Sequence, residues 1–342
     1  MKHPYKIREI AVQSGLSEAT VDRVLNARGG VRDSTVRAVG QAIADLDRQR
    51  TQIRLGARPF LVDVIVQAPP RFSAAVRAAL EAELPGLRPA VIRSRFHLLD
   101  APSVRDVVAA LDRVRRGGSQ GVILKAPDLP EIVAAAQRLT VPLVTLVTDL
   151  PASPRIAYAG IDNRSAGATA AYLVDQWLAG RAADIVVVRG HGSFHGEDER
   201  ETGFRTETGL RSPPRRLHEV VDAEDRADEV YQGIRATLAT HPAIRAVYSL
   251  YAGAGGNTAV IKAFTDEHRT YDVFVAHDLD RENTTLLRAR KLSAVLHHDL
   301  RIDLRRACHA IMQAHGTLPG PIRTNPSAIQ VITPHNAPPV EF

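Results

Sequence analysis

Ile7-Arg8-Glu9-Ile10-Ala11-Val12-Gln13-Ser14-Gly15-Leu16-Ser17-Glu18-Ala19-Thr20-Val21-Asp22-Arg23-Val24-Leu25-Asn26 carries two short helical patterns separated by a glycine. Ile7, Ile10 and Ala11 fall on one helical face, and Val21, Val24 and Leu25 on another, as apolar residues spaced three and four apart do. Gly15 can adopt the left-handed backbone that a sharp turn between helices needs. Ser17 reads as the N-cap of the second helix, with Glu18 at the positive end of its dipole. Glu18, Ala19, Asp22, Arg23 and Asn26 are then left facing outward, where a helix entering the major groove presents its side chains.

Charge agrees with that reading. Residues 1–58 hold 11 Lys and Arg against 6 Asp and Glu, a net of +5, whereas the whole chain is only +6. A basic head on a near-neutral body is the electrostatic footprint of phosphate binding confined to one end. A solvated basic bundle would share the composition, but not the capped second helix with its outward arginine.

This segment resembles the DNA-binding domain of the lactose-repressor (LacI/GalR) family of bacterial transcription regulators. The likeness rests on the run quoted above and on Val31-Arg32-Asp33-Ser34-Thr35-Val36-Arg37, where a third helix begins. It implies base reading by Glu18, Ala19 and Arg23, and a DNA-contacting surface of Ser17, Glu18, Ala19, Thr20, Arg23 and Asn26. Arg23 suits guanine O6 and N7, and Glu18 suits cytosine N4. As an acid of the first helical turn, Glu18 is equally explained by the dipole. Asp22 departs from the small hydroxyl residue usual at its position and is expected to hold Arg23 in place.

Residues 47–59 read as a linker, basic and broken by Gly56 and Pro59. The resemblance implies a hinge helix here that wedges a leucine into the minor groove. Leu55 is the match if one residue is dropped, although the usual Tyr-x-Pro-Asn lead-in is absent, and ordinary packing explains Leu55 as well. Arg50 and Arg54 are expected on phosphates. The body is long enough for one large or two medium domains among the 342 residues. No apolar run approaches a membrane span, and Met1–Tyr5 leads into a helix without a signal core, so the expected place is the cytoplasm, on the nucleoid. Cys308, the only cysteine, sits in an apolar helical stripe as an inert buried thiol.

From Phe60 onward, strand-like runs alternate with helical ones. The expected strands are 60–66, 89–93, 121–125, 142–147, 156–160, 185–189, 246–250, 273–276 and 294–296. The expected helices are 74–83, 103–116, 129–138, 165–179, 227–240, 258–267 and 300–315. Nearly continuous apolar strands alternating with helices mean parallel, doubly wound sheets, and nine strands suit two of them. The fold expected is therefore an all-α helix-turn-helix head followed by an α/β body of two parallel-sheet lobes. The resemblance implies a periplasmic-binding-protein-like body with crossovers. That divides the chain into a head at 1–47, a hinge at 48–59, a first lobe at 60–161 and 292–322, and a second at 162–291 and 323–342.

Ligands in open α/β sheets sit beyond the carboxyl ends of the strands, and the residues there are Phe72, Asp149, Asp162, Arg200, Asn257, Asp278 and His298. The resemblance implies an aromatic platform at Phe72, and roles for Asp162, Asp278 and His298. It also implies a ligand-binding arginine four residues before the Phe of Gly203-Phe204, which is Arg200. Carboxylate, guanidinium and amide forks around an aromatic face suit polyhydroxyl ligands, because each hydroxyl both donates and accepts. Each residue alone is as well explained as a cap or a surface pair. Gly253-Ala254-Gly255-Gly256-Asn257-Thr258 has neither dinucleotide nor Walker spacing and reads as a tight turn capped by Asn257, able to offer N–H groups to one anion. His191, His195, Glu197 and Asp198 form a polar loop rather than a metal site, and Trp177 reads as core. No nucleophile elbow, dinucleotide fingerprint or metal motif supports an enzyme, and no cofactor is implied.

The function expected is a regulator, a repressor, that pairs as a dimer or tetramer on operator DNA. A sugar or polyol between the lobes would control it by shifting an equilibrium. The alternatives are a periplasmic-type sugar receptor without a regulatory role, and an effector that is a phosphorylated or acidic metabolite.

Overall fold

A computed structural model describes residues 5–26, 28–53, 59–88, 90–190, 194–211, 215–222 and 226–338. Two compact units divide the chain, Met1–Ala159 with Leu300–Asn325, and Gly160–Asp299 with Pro326–Phe342.

The first unit opens with α1 (Ile7–Ser14), α2 (Glu18–Leu25) and α3 (Asp33–Ile53). Their core is Ile10, Ala11, Val21, Val39, Ala42 and Leu46, the apolar faces that the periodicity requires. Gly15 has φ +69° and its turn is closed by Leu16 N–H donating to the Ala11 carbonyl. The third helix runs to Ile53, seven residues into the stretch expected as linker. No proline or glycine interrupts residues 47–53, so nothing local stops the helix there.

β1 (Pro59–Gln67), α4 (Pro70–Glu83), β2 (Val91–Leu99), α5 (Val104–Arg116), β3 (Gly121–Lys125), α6 (Pro130–Gln137), β4 (Leu143–Leu146) and β5 (Ala157–Ala159) follow, and α12 (Leu300–Ala314) returns to this unit. The five strands form one parallel sheet in the order β2-β1-β3-β4-β5. Alternate residues of β1 serve opposite faces. Val62, Val64 and Val66 pack with Val76 and Leu80 of α4 and Leu304 and Ile311 of α12, while Ile65 packs with Leu111 of α5 and Ile132 of α6. Cutting fully buried Leu80 to alanine would cost about 2–5 kcal/mol.

The second unit contains α7 (Asn163–Leu178), β6 (Asp184–Gly190), α8 (His195–Gly209), β7 (Leu217–Asp222), α9 (Ala227–Thr240), β8 (Ile244–Ser249), α10 (Gly256–Asp266), β9 (Val273–His277), α11 (Arg281–Arg288), β10 (Ala294–His297) and β11 (Gln330–Ile332). Its sheet runs β11-β10-β9-β8-β6-β7, parallel except for β11. Helices α9 and α10 cover one face, and α7 and α8 the other.

Several expectations change. Residues 292–299, expected in the first lobe, belong to the second unit, because β10 pairs with β9 and with β11. β2 starts two residues later than the expected second strand and runs six further, to Leu99. The strands β7 and β11 and the helices α8 and α11 were not expected. β7 is an edge strand burying little beyond Val220 and Asp222, and α8 is polar along most of its length. Trp177 is exposed rather than core, whereas Cys308 is fully buried.

Candidate DNA-reading head and ligand-site residues

In the head, Ser17 Oγ accepts from Thr20 N–H at 3.1 Å and also bonds Thr20 Oγ1, so both hydroxyls serve the start of α2. Glu18, Ala19, Arg23 and Asn26 are exposed, on the face left outward by the Val21 contact with the core. Asp22 does not hold Arg23. Its carboxylate takes Asn26 Nδ2 at 2.7 Å and Arg28 at 2.8 Å, because Asn26 is one helical turn on, whereas Arg23 is the next residue and points elsewhere. The Arg50 side chain, Arg54 and Leu55 lie outside the described residues.

The head also touches the sheet edge of its own unit. Gln13 Nε2 donates to the Ser94 carbonyl at 2.7 Å, and Arg95 donates to the Val12 carbonyl at 3.0 Å. Arg95 is itself fixed by Asp63, which accepts from its Nε at 2.5 Å and Nη2 at 2.8 Å and lies 2.6 Å from His97 Nε2. Burial alone would raise the Asp63 pKa, but the hydrogen bonds from His97 and Arg95 outweigh it and hold the carboxyl at about 2. Arg77 of α4 reaches Asp45 of α3 and lies over the Phe96 ring.

In a parallel sheet all carboxyl ends lie at one end. At that end of the first unit, Phe72 starts α4 and has the Lys125 ammonium 5.3 Å from its ring centre. Lys125 ends β3 and donates to the Gln67 carbonyl. Asp149 is spent on its own loop. Its Oδ1 accepts from Thr145 Oγ1 at 2.7 Å and Leu150 N–H at 2.9 Å, and Arg155 Nε stands 2.5 Å away.

The second unit gathers more of the expected residues. Gly167 and Gly203 let α7 and α8 meet backbone to backbone, since a Cβ at either would stand about 2 Å from a carbonyl oxygen of the other helix. This crossing buries Arg200, whose Nε donates to Asn163 Oδ1 at 2.8 Å and whose Nη1 reaches the Leu250 carbonyl at 3.4 Å. Asp278, with φ +62°, brings its carboxylate within 3.9 Å of both Arg200 and His298. Burial would raise its pKa, but Arg200 first and His298 next hold it at about 2. His277 is fully enclosed and hydrogen-bonds Tyr248 at 2.8 Å; burial and then Arg200 push its pKa well down, so it is neutral. Tyr248 stacks on Phe204 at 4.1 Å, which fixes the floor of the cluster.

Asp162, expected to face a ligand, is instead the N-cap of α7, accepting from Ser165 N–H and Oγ; these bonds lower its pKa. Its neighbour Asn163 is the residue that meets Arg200. Asn257 is not the cap of α10 either. Gly255 holds that position with φ +76°, and Glu282 accepts from Gly255 N–H and Thr258 N–H at 2.9 Å each, so the helix start already holds a carboxylate. Asn257 turns inward, donating to Asn283, which in turn donates to the carbonyls of His277 and Asp278. The Asn257 Oδ1 is buried with no hydrogen-bond partner among the described residues. Asn283 and Lys125 were missed in the sequence, where an Asn within Glu-Asn-Thr-Thr and a Lys ending an apolar strand look like ordinary surface residues. Among the described residues no group of His, Cys, Asp and Glu is arranged to hold a metal, and no helix is long and apolar enough to cross a membrane.

Residues 6–49 match the bacterial regulatory proteins of the lacI family, and residues 63–314 match the periplasmic binding protein domain. No curated protein sequence matches the chain. Among solved structures, a glucose-galactose binding protein from Geobacillus stearothermophilus is similar with TM-score 0.72 and 18% identity, over 82% of this chain and 99% of that one. An ABC-transporter solute binding protein from Burkholderia graminis, in complex with D-arabinose, gives TM-score 0.72 and 17% identity over 82% and 97%. A chain described as a LacI transcriptional regulator from Bacteroides fragilis gives 0.69 and 16% over 82% and 98%. The body, and with it most of the chain, therefore belongs to the periplasmic binding protein domain family, and the head before it matches the regulatory proteins of the lacI family.

Proposed function

We propose that this regulator is a repressor whose hold on operator DNA is set by a sugar or polyol bound at the carboxyl ends of the body's strands. The observation that carries this reading is the Arg200 guanidinium, buried and aimed with Asn163 and Asp278 at one strand end. A charged donor, a carboxylate acceptor and an amide in one place match hydroxyls, which donate and accept at once. The orphan Asn257 Oδ1 supplies a further acceptor. The sugar-binding chains of the same fold support the ligand class, and the exposed Arg23 face supports base reading. Ligand that binds two arrangements of the body unequally shifts their populations and so the DNA affinity. Two copies on a two-fold operator supply the paired heads this reading requires, acting in the cytoplasm where the DNA is.

The test is to measure duplex binding and thermal stability of the full chain against a panel of pentoses, hexoses and polyols. A sugar held by the body raises the apparent stability by mass action and changes DNA affinity in the same concentration range. A panel member that stabilises without altering DNA binding would point instead to a sugar receptor without a regulatory role.

One observation favours a narrower ligand class. Lys125 over Phe72 places a cation beside an aromatic platform, which suits a sugar acid or sugar phosphate better than a neutral sugar. Including one acid and one phosphate in the panel separates the two.

A further inference from the structure

The parallel sheet of the first unit sets a basic surface beside the head. All its strands start at one end, opposite the ligand end, and the chain enters there at Pro59. Helices run back against their strands, so α5 ends at the same place, with Arg113, Arg115 and Arg116 exposed in its last turn. Arg88, exposed just before β2, joins them. The carboxylates of α4 and of the second half of α5 are already paired. Asp112 pairs with Arg138, Glu81 with Arg77, and Glu83 with Arg301 and Arg305. None of Arg88, Arg113, Arg115 and Arg116 makes an ion pair with a carboxylate among the described residues.

The head is seated against this surface. Gln13 and the Val12 carbonyl bind Ser94 and Arg95, and Asp63 and His97 hold Arg95 in turn. The seam leaves a groove of about 250 Å³ with Arg8, Gly15 and Glu18 of the head on one wall and Arg95, His97 and Arg113 on the other. Arg113 therefore stands beside the start of the recognition helix α2, and Arg116 follows one helical turn later on the same face of α5. One cation would satisfy the helix dipole of α5; three in its last turn, unpaired, exceed that need.

From this juxtaposition we infer that Arg113 and Arg116, with Arg88 and Arg115 beside them, form a second phosphate-binding surface, on the body, which grips the DNA backbone flanking the half-site read by α2. The inference rests on the DNA-regulator reading above. Contacts of this kind position a protein on a duplex without reading its sequence, so they add affinity that is salt-dependent and sequence-independent.

The experiment uses the full chain and a labelled random-sequence duplex of about 30 base pairs, titrated across salt from about 50 to about 200 mM. Wild type is compared with Arg113→Ala/Arg116→Ala and with Arg113→Lys/Arg116→Lys. The alanine pair is expected to flatten the plot of log affinity against log salt by about 2, at about 0.9 for each phosphate left unneutralised. Affinity at the low-salt end should fall about tenfold or more, while the lysine pair stays near wild type. Circular dichroism and the thermal midpoint should not move for either. An unchanged slope in a folded alanine pair, with wild type binding normally, overturns this surface and leaves the regulator reading intact. A rise in affinity also overturns it, marking the seated head as an obstruction. Absence of salt-dependent binding by wild type overturns both readings together.

Discussion

The Arg200 Nε donates to the Asn163 Oδ1 at 2.8 Å, tying the middle of α8 to the first turn of α7. That bond exists because Gly167 and Gly203 bring the two helices into backbone contact, and it aims the rest of the guanidinium at Leu250 and Asp278.

Arg200→Ala is expected to remove the ligand response of DNA binding while leaving binding without ligand close to wild type. Losing one buried charged partner costs on the order of 1.5–3 kcal/mol, about ten- to a hundredfold in ligand affinity. Thermal shift and duplex binding with the responsive panel member check this. A normal response would move the site elsewhere.

Gly203→Ala tests the crossing. Its Cβ would stand 2.0 Å from the Arg164 carbonyl oxygen, so α7 and α8 must separate. Overpacking of this kind costs about 1–3 kcal/mol, read as a lower urea midpoint, with ligand response lost as Arg200 leaves its partners. Gly209→Ala, where nothing lies within 4 Å, should do neither.

Arg23→Ala should weaken operator binding by about 1–3 kcal/mol and flatten discrimination at one base pair of each half-site. Binding to a random duplex should drop far less. Competition between operator and scrambled DNA reads the difference, and an equal loss on both would deny Arg23 its base contact.

The Asp63 carboxyl, held at about 2 in the folded chain against 3.8 as its ordinary value, links stability to pH. A lowered folded pKa means the unfolded chain takes up protons first. The contribution is therefore complete above about pH 5 and fades as pH falls through 3.8 towards 2. Its size is roughly 2 kcal/mol at neutral pH. Urea unfolding of Asp63→Asn should show a flatter loss of stability over that window than wild type, from a lower starting value. An identical slope would mean that Asp63 does not carry the effect.

Cys308 is fully buried, and burial first, with Glu83 second, pushes its pKa up to about 12. A thiol of that kind is inert. An aromatic disulfide reagent should label it only in denaturant. Fast labelling of native protein would place Cys308 outside the core.

The head was legible in the chain because its signals are local. Gly15, the Ser17 cap and the stripes at Ile10 and Val21 each act among near neighbours in the chain, and the structure returns each of them. The alternation of apolar strands and helices likewise foretold two parallel sheets, since both periods are written in consecutive residues. Asp278 could be named from its place after a strand, and Arg200 from the family resemblance around Gly203-Phe204. What each neighbour does could not. Asp162 and Asn163 are adjacent and both polar, and only the start of α7 decides that one caps the helix while the other meets Arg200. Glu282 occupies the N–H groups of the turn that read as able to take one anion, from 24 residues away in sequence. Residues 292–299 changed unit because strand pairing, not composition, assigns β10 to a sheet. Helix α8 has no continuous apolar stripe; it folds where Gly167 and Gly203 allow α7 to lie against it. Local conformation follows from steric and hydrogen-bond rules among near neighbours, whereas a side chain's partner is settled by which distant backbone the packing brings within about 3 Å of it.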